Sequence, residues 1–373
     1  MTDEGMISIE QNWKTLLSFL PEGWREKANG LNALRRARGF SDAEVLLRVM
    51  MIHLASGHSL RVTSALAREG GLASVSDVAL FKRLKLSGEW FLWMAQEMRR
   101  RWLADLGERT VAEPNLRVVD ATLVKEPGAT GSTWRIHYAM QLETLSCDEV
   151  YVTTEKTGES FERFSVQAGD IFLGDRGYHA RAGIFHIVDH GGHVVVRMRS
   201  RVNFYDLSAK RFDILKRIKD MSEGEVREYP IAIGKAGRTI SCRVCVVKKT
   251  KEMAQKSRHA AQNRAKRKGQ VLQAETLEFA DYVLILTTLP SSYCAESIME
   301  MYRQRWQIEL VFKRMKSLLG VGHLRKQDME SSRSWLQGKL FVAMLLETFI
   351  RAGEAFFPWG YVTPVAEETK SVA

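Results

Sequence analysis

The chain has 373 residues, 45% hydrophobic side chains and nine Trp, which excludes a disordered or fibrous protein and allows two or three domains with sizeable cores. Lys and Arg number 55 against 44 Asp and Glu, a net charge of +11 that favours a polyanionic partner, nucleic acid being the commonest. Four cysteines are too few to staple such a chain, and the longest apolar run near the end, LFVAMLL, stops at Glu347, far short of the roughly 18 residues a bilayer demands.

The opening MTDEGMISIEQNWK is polar and acidic, unlike a secretory signal, and with the low cysteine usage it points to a reducing cytoplasm. Residues 1–112 read as helical. Ser41 with Glu44 makes a capping box for AEVLLRVMMIHLAS, which Gly57 ends. SLRVTSALAREGG is a second short helix. LASVSDVALFKRLKLSGEW is a third, with Ser76 and Asp77 as caps, and FLWMAQEMRRRWLADLG is a fourth. Two short helices around a Gly turn, followed by Lys82, Arg83 and Lys85, have the outline of a helix-turn-helix DNA-binding unit; an ordinary helical bundle with solvated basic residues gives the same pattern.

The period then changes, and residues 113–200 read as a mixed α/β sheet. LRVVDATLV is a buried strand, WRIHYAMQLETL and DEVYVTTEK continue as strands, GDIFLGDRGY is a fourth that ends in a turn, HARAGIFHIVDHGGH is a short helix, and VVVRMRS is a fifth strand. Asp120 interrupts an apolar strand, where an unpaired carboxylate is costly, so a metal, an Arg or backbone donors must partner it. Asp175 ends the apolar run Ile171-Phe172-Leu173, between Gly174 and Gly177; it is either a turn residue accepting local N–H groups or a ligand. His186 and His190 have metal-ligand spacing, but His190 lies in the last turn before Gly191-Gly192, where the helix dipole favours His, and the helix-end reading is preferred.

Residues 201–292 break the alternation. VREYPIAIG and RTISCRVCVVKK form a hairpin at Gly234 to Gly237, and FADYVLILTTL is a further strand. Cys242 and Cys245 face opposite sides of their strand, which argues against a zinc pair. Lys248 to Lys268 carries nine Lys/Arg and one Glu. It reads either as a solvated excursion or, with Arg264, Lys266, Arg267 and Lys268 at its end, as an electrostatic track for a nucleic-acid backbone.

Residues 293–355 are helical again. MYRQRWQIELVFKRMKSLLG, residues 301 to 320, places Tyr302, Arg305, Glu309, Lys313 and Lys316 on one helical face opposite an apolar stripe of Met301, Ile308, Val311, Met315, Leu318 and Leu319. One carboxylate thus sits among groups that suit phosphate. Glu309 has two readings: an i,i+4 partner for Lys313, or a metal ligand beside a polyanion. A linker and a last amphipathic helix, RSWLQGKLFVAMLLETFIRAG, follow, and 356–373 is a polar tail.

A strand Asp, a strand-end Asp, a β-rich insertion and a helix Glu beside Tyr, Arg and Lys together resemble the DDE transposases, most closely the insertion-sequence-4 family. The specific match is YRQRWQIELVFKRMK, where Tyr302, Arg305, Glu309 and Lys316 fill all four signature positions; VVDAT around Asp120 and LGDRGY around Asp175 are similar to the two aspartate motifs. The resemblance implies a ribonuclease-H-like core interrupted by a β-rich insertion, behind an all-helical DNA-binding domain. It further implies Asp120, Asp175 and Glu309 as catalytic metal ligands for Mg²⁺, or Mn²⁺ in its place, and Tyr302, Arg305, Lys313 and Lys316 as DNA contacts. The partners implied are transposon ends and target DNA, with a homodimer assembled on DNA in a bacterial cytoplasm. Phosphodiester cleavage and strand transfer are in-line displacements that carboxylate-held divalent ions promote without a covalent enzyme nucleophile. A nuclease that cuts without joining, and a non-catalytic DNA-binding descendant, are the rival readings.

Overall fold

Helix starts in this chain are set by short polar side chains that accept the first free backbone N–H groups. The computed structural model describes residues 3–35, 39–105, 115–125, 133–199, 203–235, 237–322, 324 and 328–356. Its first elements are α1 (Asp3–Ser18), α2 (Trp24–Gly30), α3 (Ala43–Leu54), α4 (Leu60–Glu69) and α5 (Asp77–Asp105). Asp42, not Ser41, caps α3: its Oδ1 accepts from the Val45 N–H at 2.9 Å, while the Ser41 hydroxyl donates to Asp42. Ser59 caps α4 through the Val62 N–H at 3.2 Å. The third and fourth predicted helices are one, the 29-residue α5, because no glycine or proline turn separates them and Gly88 is retained inside the helix.

The strands follow: β1 (Asn115–Lys125), β2 (Thr133–Gln141), β3 (Ser146–Thr154), β4 (Asp170–Gly174), then α6 (Arg181–Asp189) and β5 (His193–Arg197). Next come β6 (Phe204–Tyr205), β7 (Arg211–Phe212), α7 (Ile214–Ile218), β8 (Val226–Lys235), β9 (Arg238–Lys248), α8 (Lys251–Arg267), α9 (Ala274–Phe279) and β10 (Tyr282–Thr287). The chain closes with α10 (Ala295–Arg303), α11 (Trp306–Leu318) and α12 (Met329–Phe356). The short β6, β7 and α7 have no counterpart in the sequence reading. The basic stretch is a regular helix, α8, whose N-cap Thr250 accepts from the Met253 N–H.

The ten strands make one mixed sheet in the order β3-β2-β1-β4-β5-β10-β9-β8-β6-β7. β1, β4 and β5 are parallel neighbours; every other pairing is antiparallel. The strands of 201–292 therefore extend the same sheet through β9 and β10. Gly237, at φ 78°, supplies the left-handed residue that the β8–β9 turn needs. One sheet face is packed with Phe172, Val194, Val196, Val244, Val246 and Leu286 against Ile184, Phe185 and Ile187 of α6. Both Cys242 and Cys245 are buried free thiols in β9.

The chain divides into two compact units. One comprises Met1–Gly107, Glu126–Gly131 and Met315–Ala373; the other comprises Glu108–Lys125 and Ser132–Arg314. Within the helical unit, Trp24, Trp90, Phe91 and Phe341 stack in series at centroid spacings of 6.1, 5.6 and 6.0 Å. Gly338 of α12 permits this closeness, since a Cβ there would stand 2.7 Å from Leu54 and 3.2 Å from Phe91. Within the sheet unit, buried Arg117 of β1 pairs with Asp148 and with Glu149 (2.5 Å) and Asp170 (2.9 Å), joining β1, β3 and β4.

The predicted helix over 301–320 is broken. Between α10 and α11 the backbone bonds tighten from i−4 to i−3, from Gln304 N–H to Met301, from Arg305 N–H to Tyr302 and from Gln307 N–H to Gln304. Arg305 thus lies at a kink.

Candidate active site

In β1 the buried apolar pair Val118-Val119 precedes Asp120, the only acidic residue of the strand. The register of β1 with β4 ends at Val118↔Leu173, and Asp120 and Asp175 each lie two residues past that pair on parallel neighbours. Strand pairing alone therefore sets the two aspartates side by side. The Asp120 side chain is 17% exposed, its Oδ1 accepts from the Ala121 N–H at 2.7 Å, and its Oδ2 faces Arg305 Nη1 at 3.4 Å. Burial pushes its carboxyl up to about 7; the Ala121 N–H and Arg305 oppose this, and the charges of Asp175 and Glu159 add to it. Asp175 caps the short turn Arg176–Tyr178, its Oδ1 accepting from the Gly177 N–H at 2.7 Å.

Glu309 reaches this pair by way of Arg305. The kink leaves the Arg305 guanidinium 18% exposed, with one arm on Asp120 and the other on Glu309 Oε1 at 2.5 Å, while Glu309 itself is 60% exposed on α11. Arg305 also sits over the Tyr302 ring, 5.9 Å from its centroid. Asp120, Asp175, Tyr302, Arg305 and Glu309 thus form one neighbourhood. Among the described residues, no three His, Cys, Asp or Glu side chains are drawn together tightly enough to cage a metal ion. The donor set still suits a hard divalent cation: it is made of carboxylate oxygens, and the ionisation of Asp120 is held back by burial and by like charges that such an ion would offset.

Two further groups were not visible in the sequence. Glu159, in the connection after β3, is half-buried, and burial and Asp175 raise its carboxyl while Arg135 and Arg199 oppose them. A Cβ on Gly177 would stand 1.9 Å from Glu159 Oε2 and 2.9 Å from Asp175 Oδ1, so both carboxylates close on the glycine. Tyr178 is fully buried, its hydroxyl has no hydrogen-bond partner, and burial and the charges of Asp120, Glu159 and Asp175 all raise its proton affinity. A lone Glu in a Thr-Gly-Glu-Ser turn carries no periodicity that would single it out.

The transposase DDE domain family matches residues 112–345, more than half of the chain and all of the carboxylates above. The chain belongs to the DDE transposase family. It is 34% identical over 360 residues to the transposase of insertion sequence element IS421 from Escherichia coli, covering 93% of this chain and 96% of the relative. InsL of insertion sequence element IS186A from Escherichia coli strain K12 is likewise 34% identical, over 359 residues, with the same coverage. The transposase of IS231F from Bacillus thuringiensis subsp. israelensis is 22% identical over 386 residues, covering 91% and 80%. This transposase is therefore an enzyme that cleaves and transfers DNA, with DNA as partner and a divalent metal as cofactor.

The remaining predicted contacts divide by position. Lys313 and Lys316 are exposed on α11, and Arg264, Lys266, Arg267 and Lys268 are exposed at the C-terminal end of α8. The Arg264 charge reaches Arg176, the residue after Asp175; burial first, and then Arg197 and Arg264, bring the Arg176 guanidinium down to about 10, against the pull of Tyr302 and Asp175. Trp306 is exposed on α11, not packed in the core. Among the described residues no helix is long and apolar enough to cross a membrane.

Proposed function

We propose that this transposase is of the insertion-sequence-4 type. In this reading it binds the terminal inverted repeats of its element and moves it by cut-and-paste transposition, with Asp120, Asp175 and Glu309 as catalytic carboxylates. The observation that carries the reading is the level placement of Asp120 on β1 and Asp175 just past the end of parallel β4, with Glu309 linked to Asp120 by Arg305. The strand order β3-β2-β1-β4-β5 supports assigning 113–200, with 293–355, to a ribonuclease-H-like core. Residues 201–292 are then a β-rich insertion that lengthens the sheet, 1–112 a helical DNA-binding domain, and 356–373 a tail.

Asp120, Asp175 and Glu309 are the residues that would hold Mg²⁺, with Mn²⁺ as substitute. When bound, the ion supplies Lewis-acid activation of the attacking oxygen and charge relief on the leaving one. The protein's own groups do the rest. Asp120 and Asp175 fix the position of the scissile phosphodiester relative to the sheet, and the raised proton affinity of Asp120 places it to take up the proton of the attacking water or 3′-hydroxyl. Arg305 balances Asp120 and Glu309 before DNA arrives, then turns a guanidinium arm to a phosphate oxygen. Tyr302, Lys313 and Lys316 contact flanking phosphates, and Arg264, Lys266, Arg267 and Lys268 hold the backbone along the end of α8. The protein acts as a homodimer joining two ends, in the cytoplasm and on the nucleoid.

The test uses a labelled element-end fragment and a supercoiled target with Mg²⁺. Wild type yields both cut ends and joined product. Asp120→Asn, Asp175→Asn and Glu309→Gln each lose both by more than about 100-fold, since replacing groups that merely support metal ligands already costs 10–100-fold, while DNA retention on a gel stays near wild type. A variant that still cuts normally removes that residue from the assignment, and cutting without joining reduces the activity to that of a nuclease.

A further inference from the structure

Beside Asp175, cationic side chains gather of which the proposed function uses only Arg264. Arg176 is the first residue of the turn after β4, and Arg197 is the last residue of β5. These strands are parallel neighbours paired Gly174↔Val196, so the two guanidiniums leave adjacent strands at nearly one level. Lys249 follows the last residue of β9 on the same side of the sheet; it is buried and donates to the Ala280 carbonyl at 2.5 Å and the Ser257 hydroxyl at 2.8 Å. Arg264 approaches from α8 closely enough to act on Arg176.

This grouping is electrostatically unfavourable as it stands. Burial, then Arg197 and Arg176, lower the Lys249 ammonium to about 8, with only partial relief from Asp281, which is already paired with Arg258. Among the described residues Arg176, Arg197 and Arg264 have no ion-pair partner, and the Nε–H groups of Arg176 and Arg197 are buried without an acceptor. Buried donors on charged groups are costly when unmet, and cations crowd together where an anion is to be received. The planar guanidinium fork matches the oxygens of a phosphate.

We propose that Arg176, Arg197 and Arg264, backed by Lys249, form a binding site for one backbone phosphate of the DNA strand lying beside Asp175. The site rests on the catalytic reading only for which strand is held; the cluster stands whether or not Asp175 is a metal ligand. It also gives α8 a defined duty: its Arg264 completes a site on the sheet.

The test measures binding of the full-length protein to a fluorescent DNA duplex across a salt series in EDTA, so that cleavage plays no part. Arg176→Ala, Arg197→Ala and Arg264→Ala are each expected to weaken binding and to flatten the slope of log K against log salt by about 0.9, the loss of one phosphate contact. The double variant Arg176→Ala/Arg197→Ala should flatten it no further than either single one, because both hold the same phosphate. The series reads binding alone, and only the Mg²⁺-dependent cutting assay reads the catalytic assignment, so a failure here is distinct from a failure there. Inorganic phosphate, added at constant ionic strength, should raise the thermal midpoint of the wild type and not that of Arg197→Ala. Folded variants with unchanged slopes overturn the site, and so do losses that add in the double variant. Stabilisation by inorganic phosphate with no change in DNA binding would assign the cluster to a free anion and overturn the DNA reading. Should the alanine variants at the strand ends fail to fold, Arg264→Ala on the exposed helix and the charge-keeping Arg197→Lys, expected between wild type and alanine, decide the question.

Discussion

Asp120 concentrates the electrostatics of this protein. Its carboxyl has an ordinary value of 3.8 and is pushed up to about 7 by burial, with Asp175 and Glu159 adding to the effect. The sign for stability follows. A carboxyl whose folded value lies above its unfolded one carries no penalty below about pH 4, and the penalty grows as pH rises through 7, because folding then holds a charge that the unfolded chain would hydrate. The shift of about three units corresponds to at most about 4 kcal/mol. Asp120→Asn is therefore expected to be more stable than wild type at pH 8 and equal to it near pH 4, as read from thermal midpoints in EDTA. Adding Mg²⁺ at pH 8 should narrow the gap by stabilising the wild type alone. A stability difference that does not change with pH would mean that Asp120 is already neutralised, and Arg305 would then be its full counter-ion. Asp120 was legible in the sequence because a carboxylate in an apolar strand demands a partner. Glu159 was not, because its closeness to Asp175 depends on the fold of the turn at Gly177, where the absence of a Cβ lets two carboxylates approach one another.

Among elements, the strands with apolar runs were the most legible: β1, β4, β5, β9 and β10 stand where those runs placed them. Helix α5 runs unbroken where the sequence suggests two helices, because Gly88 is retained inside the helix and nothing in its backbone forces a stop. The continuous helix over 301–320 fails for a tertiary reason. The amphipathic pattern there favours one helix, yet Arg305 makes contacts with Asp120 and Glu309 that coincide with a tightening to i−3 bonds. Periodicity cannot register a partner 185 residues away. The basic stretch after β9 was read by charge, and the structure adds that α8 is a helix ending in four exposed cations. Exchanging Arg264, Lys266, Arg267 and Lys268 together for Gln should leave the thermal midpoint close to wild type, since exposed side chains contribute little to folding. The salt slope of DNA binding should fall by about 0.9 for each phosphate given up. An unchanged slope would make α8 a solvated helix and remove it from the DNA path.

On the scale of the whole molecule, a net charge of +11 draws DNA to the surface, while the proposed site needs β1 and β4 to keep the register that sets Asp120 level with Asp175. That register has a buried lock. Arg117, two strand positions from Val119 and 4% exposed, is held by Asp148 and Glu149 of β3 and Asp170 of β4, with its guanidinium over the Phe172 ring at 4.5 Å. Three carboxylates with one cation make the lock intolerant of losing that cation, because truncation leaves unpaired charge in a dry interior. Arg117→Leu is therefore expected to cost about 3–5 kcal/mol, read by denaturant unfolding at pH 7. Arg117→Lys should recover only part of this, since one ammonium cannot reach three carboxylates as a guanidinium does. If Arg117→Leu unfolds within about 1 kcal/mol of wild type, the alignment of Asp120 with Asp175 is held by strand pairing and apolar packing alone, and the charged lock is incidental to the site.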